Sequence, residues 1–165
     1  RATYNRHHGV MHMLAALDLT TGKIHYRIRR RTRHREFLDL LKTLRVRWPD
    51  QRLYLVMDNF SSPHRHPDVR DWAADNDAEL VFLPTYSSWL NWIEAEFAAL
   101  RYFALNGTDH HSHAEQNAAI ASFIRWRNAH ARPKTGFATD SPIRTWTDGS
   151  ATRWLSLSSS PWILR

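Results

Sequence analysis

Cysteine is absent from the chain's 165 residues, which excludes disulfides and thiolate metal sites and is compatible with a reducing compartment. Long apolar runs are missing too. No stretch approaches the roughly 18 apolar residues of a membrane span, and no charged-then-apolar leader opens the chain. The expectation is a soluble protein, cytoplasmic or nucleoid-associated. No internal repeat emerges. Negative charge is scarce, 16 Asp and Glu against 23 Lys and Arg for a net charge of +7. That balance favours polyanionic partners, although solvated basic faces are common in soluble domains. Histidine is plentiful, 11 residues, but none falls into a Cys/His zinc pattern. The length suits one domain with a real core.

Periodicity supplies the elements. Gly9 to Leu17 and Lys23 to Ile28 read as two strands joined through Asp18-Leu19-Thr20-Thr21-Gly22, with Gly22 at a left-handed turn position and Asp18 opening the turn. Arg27 to Arg35 is the densest basic run. It reads either as a set of DNA-phosphate contacts, with Arg29, Arg30 and Arg31 the candidates, or as a solvated corner between strand and helix. Phe37, Leu41, Leu44 and Trp48 then recur at helical spacing, with Thr32 as the expected cap and Pro49-Asp50 as the stop. Leu53 to Met57 is a buried strand that delivers Asp58 to its C-terminal end. Pro67 opens a helix through about Asp75, facing Val69, Trp72 and Ala73 inward. In the loop between, Asn59 is read as holding the Asp58 loop. His64 is read either as orienting a phosphate or water or as bonding its own loop.

A second buried strand, Leu80 to Leu83, ends at Pro84. From about Leu90 a helix carries Leu90, Ile93, Phe97, Leu100 and Ala104 on one stripe. Glu94 borders that stripe, whereas Glu96 lies about 200° further round and is expected in solvent. Trp89 and Trp92 bracket the helix start and can stack on bases or pack, with packing the reading for Trp89. After Asn106-Gly107, Ser112 and Glu115 form a capping box for a helix to about Asn128 that buries Ile120, Phe123 and Ile124. His110, His111 and His113 read as a polar loop. From Ala131 the periodicity fades, although Trp146, Trp154 and Trp162 are too many aromatics for a disordered tail.

Asp58 and Glu94 thus meet at the strand C-terminal rim, where open α/β sheets bind ligands. Paired carboxylates there suit Mg²⁺, with Mn²⁺ as a substitute, and two such ions about 3.5–4 Å apart can clamp a phosphodiester during in-line displacement.

The stretches D-N-F-S-S-P-H and P-T-Y-S-S-W-L-N-W-I-E, with 35 residues between Asp58 and Glu94, resemble the second half of the Asp-Asp-Glu motif of mariner-like insertion-sequence transposases. R-H-H-G, A-L-D-L-T-T-G, A-L-R-Y-F-A-L-N-G-T-D-H and I-R-W-R-N-A-H extend the resemblance over about Thr3 to His130. The resemblance implies an RNase H-like α/β fold, a mixed sheet in the order 3-2-1-4-5 flanked by helices. It also implies DNA transposition, in which a metal-bound water cleaves a phosphodiester and the freed 3′-hydroxyl attacks target DNA. Metals would be held by Asp58 and Glu94, and the intact enzyme would be a homodimer on DNA. Two departures stand out. His64 lies six residues after Asp58, where the family has about five. The family's first catalytic Asp sits on a strand preceding the part where this chain begins, so that Asp and the central first strand are expected to be missing.

The expected organisation is a partial catalytic core over residues 1–130 and an extension over 131–165 of uncertain structure. A lost central strand calls for a replacement from this chain, pairing with another copy, or a marginal fold. Besides transposase chemistry, an inactive DNA-binding fragment and an RNase H-like nuclease stay open.

Overall fold

The computed structural model describes residues 10–58, 62–83, 91–106, 110–135 and 152–163. The expectations for Asn59, Trp89, Leu90, Gly107 and Trp146 lie outside them. The chain forms β1 (Val10–Asp18), β2 (Ile24–Arg29), α1 (His34–Arg47) and β3 (Arg52–Met57). A 3₁₀ turn (Ser62–Arg65), α2 (Pro67–Asp75) and β4 (Ala78–Phe82) follow. Then come α3 (Trp92–Leu100), continued as a π turn (Arg101–Leu105), α4 (His113–Ala129) and β5 (Thr152–Ile163). No helix among the described residues is long and apolar enough to cross a membrane.

The five strands lie in the order β2-β1-β5-β3-β4. β5 is antiparallel to β1 and parallel to β3, while β3 and β4 are parallel and β1 and β2 antiparallel. The architecture is therefore the expected mixed α/β, RNase H-like sheet, and its central place is filled from within the chain. The strand that fills it comes from the segment past residue 130, so a boundary at 130 separates β5 from the core it completes. Its alternation explains how. Leu155 and Leu157 point to one side of the sheet, among Phe37, Leu40, Leu41 and Leu44 of α1 and Val69 of α2. Trp154 points to the other, stacking on Tyr54 at 4.3 Å. Each fully buried leucine contributes about 1.5–3 kcal/mol. Pro161 pairs with His12 beyond the end of the β3 pairing at Leu157, where β5 runs beside β1 and its missing N–H breaks no β3 bond.

The same pleat sorts β3. Leu53, Leu55 and Met57 face α1 and α2, whereas Tyr54 and Val56 face the layer of Ile93, Phe97, Leu100, Ile120 and Ile124 from α3 and α4. Asp58, the next residue, continues the α3 side.

Local bonds fix the rest. Asp18 is buried and opens the hairpin turn, accepting from the Thr20 N–H at 3.0 Å and the Thr21 hydroxyl at 2.6 Å, and pairing with Arg153 at 3.4 Å. Gly22 has φ +73°, and a Cβ there would collide with the Arg132 carbonyl. The Asn128 side chain clamps the edge strand, accepting from the Ile24 N–H at 2.8 Å and donating to its carbonyl at 2.9 Å.

Two expected caps differ. Arg33 rather than Thr32 caps α1, because Glu36 reaches back to the Arg33 N–H at 3.0 Å and sets the start one residue later. At α4, Ser112 Oγ accepts from the Glu115 N–H at 3.2 Å, but the Glu115 carboxylate accepts from His111 N–H at 2.8 Å instead of closing the box on Ser112. Phe123 is only partly buried there.

Candidate active site

Asp58 leaves the C-terminal end of β3, half-buried, in the backbone step after Met57, whose carbonyl accepts from the Leu83 N–H at 3.0 Å. Rigid strand pairing on both sides of β3 therefore aims this carboxylate. The Met57–Leu157 register, carried one step further, puts Ser158 of β5 beside it.

Glu94 reaches the same rim from α3. Its position is set by two β5 and α3 side chains that are almost wholly buried, Ser156 and Asn91. The Ser156 hydroxyl accepts from the Ile93 N–H at 3.1 Å and donates to the Asn91 side-chain carbonyl. The Asn91 side-chain amide in turn donates to the Leu157 carbonyl at 3.1 Å, and the Asn91 backbone carbonyl accepts from the Glu94 N–H at 3.0 Å. A helix start leaves orphan N–H groups. Here the central strand, not the helix's own N-cap side chain, satisfies one of them. The N-x-x-E spacing of Asn91 and Glu94 thus has a local meaning: Asn91 ties the first turn to β5, and Glu94 follows at the rim.

Glu94 itself is exposed, and its carboxylate accepts from the Ser158 hydroxyl at 2.5 Å. Ser158 and Glu94 thus meet just past the Met57–Leu157 pairing, the end of the parallel pair at which Asp58 leaves β3. Among the described residues no further Asp, Glu or His joins Asp58 and Glu94 to make a three-ligand cluster. The donor set at the rim is two carboxylates and a hydroxyl. Being all oxygen, it fits a hard divalent cation such as Mg²⁺, which commonly binds through one or two carboxylates and keeps several waters. Ser156 and Ser158 were invisible to the sequence reading. The signal that could have found them is the period-two run Trp154-Leu155-Ser156-Leu157-Ser158.

Glu96 departs from its expected place in solvent. It lies partly buried and accepts from Arg127 at 2.6 Å and Lys134 at 2.8 Å. The cause is α4 with the segment after it, which bring Arg127 and Lys134 to the side of α3 that an isolated helix would leave wet. Although burial opposes ionisation, the bonds from Arg127 and Lys134 outweigh it and hold the carboxyl below its ordinary range.

His64 packs on α1. It is buried against Phe37, ring centroids 4.4 Å apart, and bonds the Asp58 backbone carbonyl. Burial drives its pKa down to about 4, against the smaller raising effect of Asp58, so the ring is neutral at pH 7.

Of the basic run, Arg29 is engaged with Asp39 at 2.6 Å, while Arg30 and Arg31 are exposed. The three sit where β2 gives way to α1. Trp92, beside the Glu94 turn, is half-buried with Lys134 over its ring at 5.8 Å.

A family model described as DDE superfamily endonuclease matches residues 1–116. The match covers the elements from β1 through α3 and ends inside α4, so β5 lies outside it. No curated protein matches the chain.

Proposed function

As the chain belongs to the DDE superfamily endonuclease family, we propose that it is the catalytic domain of a DNA transposase of the mariner-like insertion-sequence group, cleaving and joining phosphodiesters at the Asp58–Glu94 rim. What supports the reading is that Asp58 follows the end of a strand in the parallel part of the sheet, while Glu94 opens a helix whose first turn is bonded to the neighbouring central strand. Asp58 and Glu94 would hold Mg²⁺, or Mn²⁺ in its place. Such an ion supplies charge for the phosphoryl oxygens and lowers the pKa of a water. The chain's own residues do the positioning. β3 fixes Asp58, Asn91 and Ser156 fix the first turn of α3, and Ser158 holds one Glu94 oxygen by its hydroxyl. Arg30 and Arg31 add sequence-independent attraction to the DNA backbone, with Arg29 partly diverted to Asp39.

A second reading has its own observation. The group bonded to Glu94 is the neutral Ser158 hydroxyl, so the rim carries less negative charge than two divalent ions call for. On that reading the chain binds DNA without cutting it.

Nicking of supercoiled plasmid in Mn²⁺ separates the two. For the enzyme, the parent nicks and Asp58→Asn or Glu94→Gln each lose about 100-fold or more, while salt-dependent DNA binding is unchanged. For the binding module none of these nicks, and Ser158→Asp, which adds the absent charge, is the variant expected to gain cleavage. Transfer of a 3′-hydroxyl end to a second duplex then distinguishes a transposase from a nuclease that only cuts.

A further inference from the structure

Of the four large hydrophobic side chains exposed among the described residues, three lie together: Tyr102 is 68%, Phe103 69% and Trp126 61% exposed. Apolar residues scattered singly over a surface need no explanation, but a cluster does. The π turn Arg101–Leu105 presents Tyr102 and Phe103, while α4 presents Phe123, Trp126 and His130 at three- and four-residue spacing on one side. Their rings form a row. Tyr102 meets Phe103 edge-on at 4.9 Å, and Phe103 lies within 15° of parallel to Phe123 at 6.1 Å. Trp126 follows, 6.2 Å from Phe123 and 4.9 Å from His130. The row runs into a cleft of about 430 Å³, lined by Trp126, His130, Arg132, Lys134 and Trp92.

We propose that this row and its cleft bind an unpaired DNA strand, the rings stacking on its bases and the arginines beside them holding its phosphates. Charge selects the class of partner. From Gln116 to Thr139 the chain has no Asp or Glu, but it carries Arg125, Arg127, Arg132 and Lys134. Arg127 and Lys134 are engaged with Glu96. Arg125 and Arg132 are exposed, the first about 100° round α4 from Trp126 and the second lining the cleft. Aromatic faces with cations beside them match a polyanion that offers π-faces of its own. Pairing hides base faces inside a duplex, so only an unpaired strand offers them. A second copy of this chain would bring the same cations against these, and like charge opposes that occupant.

The site is separate from the rim. Trp92 and Glu96 lie one turn apart on the same side of α3, each about 200° round from Glu94. Lys134 bridges them, its Nζ 5.8 Å from the centre of the Trp92 ring and 2.8 Å from the Glu96 carboxylate. The cleft therefore opens behind the helix that carries Glu94, and a strand bound there is held away from the reacting phosphate. The inference rests on the rim reading for DNA as the polymer, whereas the surface itself uses neither Asp58 nor Glu94. Cleavage at the rim leaves ends that fray, and these supply the unpaired strand.

The test is fluorescence anisotropy of a labelled oligothymidylate of about 15 nucleotides, beside a duplex of the same length, with the full chain in EDTA so that rim metals play no part. The expected result is single-strand binding about 10-fold or more tighter than duplex binding. Trp126→Ala and Phe103→Ala should each weaken it about 5- to 100-fold, and Trp126→Phe should keep it. Both alanine variants should leave duplex affinity within about 2-fold, since backbone contacts elsewhere supply that term. Arg125→Gln with Arg132→Gln should reduce the salt slope of single-strand binding by about 1. Tm shows that each variant is folded. Asp58→Asn keeps the single-strand affinity whether or not the rim cleaves, so failure here and failure of the rim reading are distinct. A duplex bound as tightly as the single strand, or single-strand affinity unmoved by Trp126→Ala and Phe103→Ala, overturns the proposal. So does a dimer in sedimentation that Trp126→Ala dissolves while strand binding persists, which would assign the row to a second copy.

Discussion

Glu94 and Glu96 stand two residues apart on one helix and live in different molecules, chemically speaking. Glu96 is enclosed by Arg127 and Lys134 and serves the fold, fixing α4 and the segment after it onto α3. Glu94 is exposed, with a single serine hydroxyl on it and no cation near enough to pair among the described residues. A carboxylate satisfied by protein cations has little left for a metal ion, while one held by a neutral hydroxyl keeps its charge and its remaining lone pairs. Sequence position alone nearly separates them, since one borders the apolar stripe and the other does not. It is α4, arriving later in the chain, that decides which becomes structural.

The comparison breaks if the two can exchange roles. Glu94→Gln should abolish cleavage by about 100-fold while moving stability by no more than about 0.5 kcal/mol. Glu96→Gln should do the reverse. It leaves two partly buried cations short of a partner, a change that costs roughly 3–5 kcal/mol for a fully buried pair and, discounted for the solvent that still reaches this one, on the order of 2 kcal/mol. Urea unfolding of both variants beside the parent checks the contrast. Because the Glu96 carboxyl is held below its ordinary range, its contribution is present above the unfolded carboxyl pKa of about 4.3 and fades as pH falls through the lower folded value. The acid limb of the Glu96→Gln stability curve should be correspondingly flatter.

A buried histidine sharpens the contrast at milder pH. His64 titrates at about 4 in the fold, pushed down by burial, and near 6.5 when unfolded. Between these values the unfolded chain holds the extra proton, so stability rises with pH across the window and is lost as pH falls from about 6.5 to 4. His25 is lowered to about 4 as well, chiefly by burial and then by Arg47, and acts in the same direction. Replacing His64 with Gln should remove up to about 2 kcal/mol of that slope. Unfolding midpoints at pH 7 and pH 5 give the measurement. A slope unchanged in the variant would place the titration elsewhere.

The order and type of the elements from β1 to α4 were legible because each has a clean period: the Leu53 to Met57 run, the Phe37-Leu41-Leu44 stripe and the Ile93-Phe97-Leu100 stripe all announce which face is buried. So were the placements of Asp58 at a strand end and of Glu94 in the first turn of a helix. What stayed hidden was contact at long range. The need for a central strand could be argued from unpaired backbone groups, but nothing local marks the stretch from Thr152 as its source, since four of its residues are serines and its buried apolar positions at Trp154, Leu155 and Leu157 are interrupted by the buried Ser156. The ion pairs of Glu96 were hidden for the same reason: Arg127 lies 31 residues away in sequence. His64 was open between two roles, and its burial against Phe37 decides for the backbone one.

The smallest effect is the most local test of how β5 builds the rim. Ser156 and Ser158 point to the same side of one strand, and each hydroxyl meets α3. Ser156 is buried and accepts from the Ile93 N–H while holding Asn91. Its replacement by alanine leaves an orphan helix N–H and frees the Asn91 side-chain carbonyl, so a loss of about 1 kcal/mol is expected, the usual cost of removing a helix cap. Ser158 meets only an exposed carboxylate that water can solvate equally well, and its replacement by alanine should change stability by less than about 0.5 kcal/mol. Cleavage or metal affinity should respond in both, but for different reasons: Ser156→Ala lets the whole first turn of α3 drift, and Ser158→Ala releases one oxygen of Glu94. Equal stability loss in the two variants would mean that Ser158 is part of the fold's fastening rather than a corner of the site, and the distinction between a structural and a chemical carboxylate on α3 would lose its counterpart on β5.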